Sequence, residues 1–242
     1  MKLDILAIGA HPDDIELTCA GTLVKAAREG MRTGIVDLTQ GELGTRGTKQ
    51  IRAQEAEEAA HILGLMTRRN LKMHDGNIEL NRKNLHTVIA LLRELQPRIL
   101  LIPHFNERHP DHMHTYQLAR EAWFYSGLAK LKTTMSGKAQ QPFRPNNFFS
   151  FMQKFEFIPA FIVDVSDTFE LRMKSIRAHR SQFFNPESKE RETILSKPEF
   201  LKEIETRAMY YGQSIGVIYG EPFYSYVPVG IENIFDLALT KG

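Results

Sequence analysis

Residues 3–10 read LDILAIGA, a short apolar run, and the polar turn HPDD follows at residues 11–14. An apolar run that ends this abruptly is typical of a strand buried on both faces of a parallel sheet. A histidine and two carboxylates then stand where the carboxyl end of that strand is expected. In open α/β sheets, ligands bind beyond the carboxyl ends of the strands. This stretch therefore predicts both the class of fold and the place of a site.

The alternation of strand and helix continues through the first half of the chain. Further strands are predicted at residues 33–38, 70–73 and 99–102, and helices at residues 15–29, 50–63 and 81–95. Alternation of this kind implies right-handed crossovers. The sequence predicts an α/β protein with a doubly wound, mostly parallel sheet and helices on both of its faces.

The second half of the chain has weaker patterns. Helices are expected at residues 114–124, 168–182 and 198–212, strands at 147–152, 160–165 and 224–227, and an exposed loop at 131–145. No stretch reads as a linker between domains. We therefore expect one domain over residues 1–242.

Composition excludes several classes of partner. The 242 residues carry 31 basic and 29 acidic side chains, a balance that gives no electrostatic reason to expect nucleic acid. No apolar run approaches the roughly 18 residues that span a membrane. The single cysteine, Cys19, excludes an intrachain disulfide and fits a reducing cytoplasm, which is the expected location.

A second polar cluster, NERHPDH at residues 106–112, follows the predicted strand at 99–102. His109 and His112 are three residues apart at the start of a predicted helix, so they occupy neighbouring positions on one face. Two simpler interpretations exist. Asp13 or Asp14 could merely cap the next helix, and the histidines could form a surface run. Two His/Asp clusters at the ends of two strands of one sheet instead favour a metal site assembled from separate loops.

The residue types in the two clusters suit hydrolysis assisted by a metal ion. His11 and Asp14 could reach one ion across their turn, with Asp13 beside it. Imidazole and carboxylate ligands suit Zn²⁺ or another first-row divalent ion such as Fe²⁺. A spare carboxylate could take a proton from water, and a spare histidine could stabilise an oxyanion. No G-x-S-x-G elbow, P-loop or G-x-G-x-x-G fingerprint supports another chemistry.

The segments AHPDDIE at residues 10–16 and HPDH at residues 109–112 resemble the paired signatures of the PIG-L/LmbE family of N-acetylglucosamine deacetylases. Further similarity covers GELGT at residues 41–45, residues 52–64, and HRSQ at residues 179–182. The resemblance implies a Rossmann-like fold and a Zn²⁺ ion held by His11, Asp14 and His112.

The resemblance also implies catalytic roles for three other residues of the motifs. Asp13 matches the general base of the family. His109 matches a histidine that acts as an acid or stabilises the oxyanion, and Asp111 would orient His109. His179 and Gln182, in the HRSQ segment, are expected to line or close the site, and the alternative for either is a structural role.

The implied substrate is a small N-acetylglucosaminide. The similarity is greatest to the branch of the family that acts in bacillithiol biosynthesis on N-acetylglucosaminyl malate. Arg52 matches a substrate contact of the family, Arg108 could bind a substrate carboxylate, and Glu42 could bind sugar hydroxyls. Each of these three side chains could instead simply face solvent. A homo-oligomer is expected from the resemblance.

Two alternatives remain open. The protein could deacetylate another small molecule that contains N-acetylglucosamine, or act as an amidase on a thiol conjugate. From a different class, it could bind a metal or a sugar without catalysis. Asp13 argues against the last alternative, because a binding protein has no need for a second carboxylate beside the ligands.

Overall fold

The structure, a computed structural model, describes residues 1–135 and 137–237. Ser136, in the predicted loop, and residues 238–242, at the end of the predicted domain, lie outside the described residues. The strands are β1 (Ile5–Gly9), β2 (Thr33–Thr39), β3 (Thr67–Met73), β4 (Ile99–Pro103), β5 (Thr134–Met135), β6 (Lys138–Ala139), β7 (Asn147–Phe151), β8 (Phe161–Asp164) and β9 (Gly220–Tyr224). The helices are α1 (Ala20–Arg28), α2 (Lys49–Ile62), α3 (Arg82–Leu95), α4 (Pro110–Ser126), α5 (Phe169–Ala178) and α6 (Phe200–Gln213), and a 3₁₀ turn covers Ile234–Leu237.

Seven strands form one sheet in the order β3-β2-β1-β4-β7-β9-β8. Strands β3, β2, β1, β4 and β7 run parallel, and β9 runs antiparallel to both of its neighbours. The predicted mostly parallel α/β sheet is confirmed. The chain builds outward from β1 in one direction and then from β4 in the other. The loops that leave β1 and β4 therefore border the crevice in which such sheets bind ligands.

Helices cover both faces of the sheet, as predicted. Leu6 and Ile8 of β1 point into a hydrophobic layer with residues of α3 and α4, such as Leu92 and Leu118. Ala7, between them, points into a second layer with residues of α1. Alternate residues of one strand thus bury two opposite faces, which explains why β1 is apolar throughout.

Helix α1 begins at Ala20, so the predicted start at residue 15 is wrong. The carbonyl oxygens of Glu16 and Leu17 accept hydrogen bonds from the buried guanidinium of Arg172, at 3.1 and 2.7 Å. Thr18 Oγ1 donates to Asp14 O at 2.7 Å. Side chains therefore satisfy the carbonyl groups that a first helical turn would have used, and residues 13–18 form turns instead.

Other boundaries also differ from the prediction. Helix α4 begins at Pro110 rather than residue 114, because His109 caps it and proline suits a first helical position. Helix α5 ends at Ala178 rather than residue 182. The predicted loop at residues 131–145 contains the small antiparallel pair β5–β6.

The last strand is β9, at Gly220–Tyr224 rather than residues 224–227. Pro222 lies inside β9 and pairs with Ile162 of β8, although proline is disfavoured within strands. Glu221, in the same strand, fixes β9 in position. Its buried carboxylate accepts hydrogen bonds from Gly21 N and Thr22 N at 2.9 and 2.8 Å. It caps the first turn of α1 and holds β9 against that helix.

Cys19, the residue before α1, lies fully buried in the second hydrophobic layer. Burial raises the pKa of its thiol well above the ordinary value. Among the described residues, no helix is both long and apolar enough to cross a membrane.

Candidate metal centre and active-site cavity

The residues of the two polar clusters meet beyond the carboxyl ends of β1 and β4. His11, Asp14 and His112 each offer one nitrogen or oxygen atom, and these atoms all lie within 4.8 Å of one another. His11 and Asp14 belong to the turn after β1, and His112 lies in the first turn of α4. The fold thus brings together the three residues that the resemblance implied as ligands.

Asp14 is anchored by the backbone of its own turn. Its Oδ2 accepts hydrogen bonds from Ala10 N and His11 N at 2.8 and 2.9 Å, whereas its Oδ1 lies 3.1 Å from Nε2 of His112. Burial alone would raise the pKa of Asp14, but His112 and His11 bring it well below its usual range. One oxygen fixes the side chain, and the other faces His112 as part of an ionised carboxylate.

His11 is oriented by carboxylates on the opposite side of its ring. Its Nε2 lies 3.1 Å from Asp75 Oδ1 and 3.5 Å from Asp111 Oδ2, and its Nδ1 lies 3.6 Å from Asp14 Oδ2. Histidines that bind metals typically donate their second ring nitrogen to a carboxylate. This arrangement fits a ligand that presents Nδ1 to an ion shared with Asp14.

A second set of three residues, His11, His109 and Asp111, also has its ligand atoms within 4.8 Å. It shares His11 with the first set, so the two sets compete for one imidazole. Asp111 lies on the Nε2 side of that ring, where Asp75 is already bonded. The geometry therefore favours the set of His11, Asp14 and His112.

Asp13 lies next to this set but faces a different partner. Its φ of +122° is rare for a residue with a side chain. Its Oδ2 accepts a hydrogen bond from Arg52 Nη2 at 3.2 Å. Burial, opposed by Arg52, raises the pKa of Asp13 to about 6. A carboxyl group that titrates near neutral pH can both accept and return a proton.

Arg52 is only 4% exposed, so it is not a solvated residue at a helix start. Its guanidinium donates to Pro12 O at 2.7 Å and to Gly41 O at 3.0 Å, in addition to Asp13. Gly41 has a φ of +65°, and a Cβ atom there would collide with the guanidinium. The glycine loop therefore gives Arg52 access to the turn that carries Asp13. Its predicted contact with substrate stays a prediction.

His109 caps α4 through Nδ1, which accepts a hydrogen bond from Asp111 N at 3.2 Å. Burial and the nearby His11 and His112 lower the pKa of His109. A neutral ring whose Nδ1 accepts a hydrogen bond carries its proton on Nε2. The Asp111 carboxylate accepts a hydrogen bond from Gly76 N at 2.7 Å and lies 3.5 Å from His11 Nε2, and its role in orienting His109 stays a prediction. The backbone amide of Asp111 makes the hydrogen bond to His109, and a carboxylate oxygen of Asp111 lies within 4.8 Å of a ring nitrogen of His109.

A buried ionic network supports the Asp13 turn from behind. Glu16 Oε1 contacts both Arg68 Nη1 and His179 Nε2, and Arg68 forms a bidentate pair with Asp37 at 2.8 and 3.0 Å. Burial alone would raise the pKa of Glu16, but Arg68 and His179 lower it to about 2. The network joins the turn to β2, β3 and the end of α5. His179 therefore holds the turn rather than lining the cavity.

A cavity of about 590 Å³ opens above the three candidate ligands. This volume lies within the ~300–1,000 Å³ typical of small-molecule sites. Asp13, His109, Arg52, Arg108 and Gln182 line it. Glu42 does not, because its carboxylate accepts hydrogen bonds from the backbone amides of Gln40 and Asp75, both at 3.2 Å. Glu42 supports the loop after β2 instead of facing the cavity.

Two residues beside the candidate ligands, Asp75 and Gln153, were not predicted from the sequence. Gln153 follows β7, and its Nε2 lies 3.1 Å from Asp14 Oδ1 and 3.3 Å from His112 Nε2. The buried carboxylate of Glu107 accepts from Lys154 N at 2.8 Å and so fixes the segment after Gln153. Asp75-Gly76 reads as an ordinary turn. The one usable signal was position, since both residues follow closely on predicted strands.

The chain is similar in sequence and in structure to known proteins. The sequence model of the PIG-L family, described as GlcNAc-PI de-N-acetylase, matches residues 6–123, which include both motifs. The conserved protein TT1542 from Thermus thermophilus has a similar structure, with a TM-score of 0.85 and 36% identity over 95% of this chain and 97% of that chain.

Two further relatives are named for one and the same activity. Diacetylchitobiose deacetylase from Thermococcus kodakarensis is 28% identical over 234 residues, which cover 90% of this chain and 80% of that protein. N,N'-diacetylchitobiose deacetylase from Pyrococcus horikoshii, in complex with its inhibitor MPG, gives a TM-score of 0.76 and 29% identity over 96% of this chain and 88% of that chain.

Proposed function

Because the chain belongs to the PIG-L family, we propose that it is a metal-dependent hydrolase that removes the N-acetyl group from an N-acetylglucosaminide. One observation carries the proposal. His11, Asp14 and His112 converge within 4.8 Å, and Asp13, with a pKa of about 6, lies beside them. A ligand set with an adjacent proton acceptor is what hydrolysis of an amide requires. The relatives named as deacetylases support the same reaction class.

His11, Asp14 and His112 would hold the ion. Two imidazoles and a carboxylate, with Asp75 behind His11, fit Zn²⁺, and Fe²⁺ suits the same donors. When bound, such an ion polarises a carbonyl group and lowers the pKa of water.

Asp13 moves the proton. It accepts a proton from the attacking water while the water oxygen forms a bond to the acetyl carbon. The carbon–nitrogen bond then breaks, and Asp13 returns the proton to the leaving nitrogen, so that the products are acetate and the free amino sugar. The carboxyl group of Asp13 is buried beside the candidate ligands, and burial raises its pKa to about 6, which favours uptake of a proton from water. The Nε2–H of His109 donates to the oxygen that becomes negatively charged.

Within this class we propose N-acetylglucosaminyl malate, as used in bacillithiol biosynthesis, as the substrate. Arg108 lines the cavity one residue before His109, and its side chain is exposed. A guanidinium forms two parallel hydrogen bonds to a carboxylate, a pairing that lysine cannot match. The competing substrate is an uncharged N-acetylated sugar such as the diacetylchitobiose named for the archaeal relatives.

Acetate release tests both the proposed reaction and the proposed substrate. We would measure kcat/KM of the Zn²⁺-loaded protein on N-acetylglucosaminyl malate, diacetylchitobiose and N-acetylglucosamine. A charged hydrogen bond contributes about 1.5–3 kcal/mol, so the malate glycoside should be preferred by about tenfold or more. Arg108→Ala should abolish this preference, and Arg120→Ala, on the exposed side of α4, should keep it.

The experiment distinguishes failure of the proposed substrate from failure of the proposed reaction. Equal rates on all three sugars would reject the malate glycoside and leave the deacetylase. Absence of acetate from every sugar would reject the deacetylase itself.

A further inference from the structure

The cavity has two unlike halves, one on each side of the candidate ligands. The half beside β2 and β3 is mainly polar, since it includes the Asp75 carboxylate and the backbone of the glycine loop, with Leu43 as its large apolar side chain. The half beside β7 and α6 has an apolar wall, formed by Leu17, Leu195, Phe200 and Ile204. A substrate whose amide lies at the ligands therefore meets different side chains in each half.

The apolar wall is a fixed part of the core. Ile204 is buried in a hydrophobic cluster with residues of α5 and α6, such as Phe169. Leu17, Leu195 and Phe200 pack against that cluster while their other sides line the cavity. Because the wall is preformed, a ligand that contacts it gains burial of apolar area with little reorganisation.

Three of the charged groups in this half, Lys154, Glu203 and Arg207, already have partners, and a fourth, Glu156, is exposed. At the mouth, Lys154 Nζ lies 3.7 Å from Glu203 Oε2. The guanidinium of Arg207 donates to the carbonyl oxygens of Gln153 and Leu17. These pairings leave the apolar side chains as the main contact surface for a ligand in this half.

From this asymmetry we infer that the protein has a further activity on substrates other than the malate glycoside, in which an alkyl group packs against Leu17, Leu195, Phe200 and Ile204 while the sugar occupies the other half. The inference rests on the proposed function, because it takes the scissile amide to lie between the halves. Two parts of the substrate have the required chemistry. One is an N-acyl chain longer than acetyl, and the other is an alkyl aglycone.

Two series of substrates separate these sources. The first is N-acetyl-, N-butanoyl- and N-hexanoylglucosamine, and the second is the methyl, butyl and hexyl glycosides of N-acetylglucosamine. Release of free amine is measured in both series with the Zn²⁺-loaded protein. Burial of each methylene should raise kcat/KM about three- to fourfold in the series that reaches the wall. The series that rises identifies the source.

Matched variants test whether the rise in kcat/KM with chain length depends on the apolar wall. Leu195→Ser should flatten the rise, and Ile194→Ser, in a cavity residue that is 54% exposed and so tolerant of change, should reduce it. Ile158→Ser, in a residue that is 90% exposed and outside the cavity, should leave the rise intact.

Calorimetric titration of the same compounds separates failure of this inference from failure of the proposed function. If no compound releases an amine, the proposed function fails, and the titration still shows whether affinity rises with chain length. If amine is released at rates independent of chain length in both series, and affinity is equally flat, the alkyl contact is overturned and the deacetylase stands.

Discussion

Asp13 adopts a backbone conformation, φ +122°, that costs of the order of 1–3 kcal/mol for a residue with a side chain. The surroundings enforce it. Arg52 bonds the carbonyl before Asp13 and its carboxylate, and Arg172 takes the carbonyl groups of Glu16 and Leu17. Strain that is maintained by buried guanidinium groups indicates a turn shaped for chemistry rather than for stability.

Asp13→Asn tests the role of this residue. The amide is nearly isosteric, but it cannot accept a proton from water. We expect the variant to bind metal like the parent and to lose about 10²–10⁴ in kcat, the usual contribution of a proton-transfer group. Metal content by elemental analysis and acetate release check the two halves of the expectation.

The control for Asp13→Asn is Asp167→Asn, in an exposed residue far from the cavity, which should leave both quantities unchanged. An Asp13→Asn enzyme within a few-fold of the parent would refute the assignment. Loss of metal in that variant would instead make Asp13 a ligand.

Glu16→Gln tests the buried network through its pH dependence. The pKa of Glu16 is about 2 in the folded protein, below its ordinary value of 4.5. A lowered folded pKa stabilises the protein at pH values above the unfolded pKa, and that contribution is lost as the pH falls from about 4.5 towards 2. The variant should therefore lose about 3 kcal/mol in the free energy of unfolding at pH 7.

Urea titrations of parent and Glu16→Gln at pH 7, 5 and 3 measure this difference. The difference between the two proteins should shrink between pH 5 and pH 3. Glu58→Gln, which removes an exposed ion pair with Arg180, should show a much smaller loss at pH 7. A difference for Glu16→Gln that is the same at all three pH values would contradict the network.

At the scale of elements, the contact between α6 and β9 is closed by glycine. A Cβ atom on Gly212 would lie 2.7 Å from the backbone of Ile218, just before β9. Gly212→Ala should destabilise the fold by about 1–3 kcal/mol, since the helix must move away from the strand. Gly230→Ala is the matched control, because a Cβ atom there meets nothing within 4 Å. Equal midpoints of thermal unfolding in the two variants would contradict this packing.

The elements that sequence patterns predicted well are those whose apolar residues report burial directly. Strands β1 and β4 are apolar, and β2 has an apolar centre, because both of their faces are covered. Helix α3 is marked by its Asn81 cap, which accepts a hydrogen bond from Asn84 N at 2.9 Å. The predicted bounds of α1 and β9 were wrong because side chains distant in sequence bond to backbone groups there. Arg172 delays α1, and Glu221 secures a strand that contains Pro222. Neither partner is near in sequence, so no local pattern could reveal them.

The residues of the candidate site also fall into those that the local sequence predicted and those that it did not. His11, Asp13, Asp14, His109 and His112 could be predicted because each lies in a dense cluster at a strand end. Asp75 and Gln153 could not, because a single carboxylate in a turn and a single amide after a strand are common everywhere. Their meaning depends on strand order, which sets β3 and β7 on opposite sides of the β1–β4 crevice.

For the whole molecule, metal binding should couple to folding, because the ligands come from the turn after β1 and the start of α4, about a hundred residues apart. Zn²⁺ at a hundred times its Kd should stabilise the folded state by about 2.7 kcal/mol. For a chain of this size that raises Tm by roughly 5–10 °C. Thermal unfolding with and without Zn²⁺ measures the effect.

His112→Ala should abolish the rise in Tm, and His61→Ala, an exposed residue of α2, should preserve it. The same rise in His112→Ala as in the parent would place the ion elsewhere.

The lone cysteine of this chain can act as a kinetic reporter without any engineering. Cys19 is fully buried and its thiol is held protonated, so an aromatic disulfide reagent can react with it only after the layer around α1 has opened. The ratio of its labelling rate to that of an unfolded chain gives the opening free energy of this layer alone. Since Cys19 lies five residues beyond Asp14, any ligand that rigidifies the turn at residues 11–14 should slow the labelling of Cys19 in proportion to its occupancy.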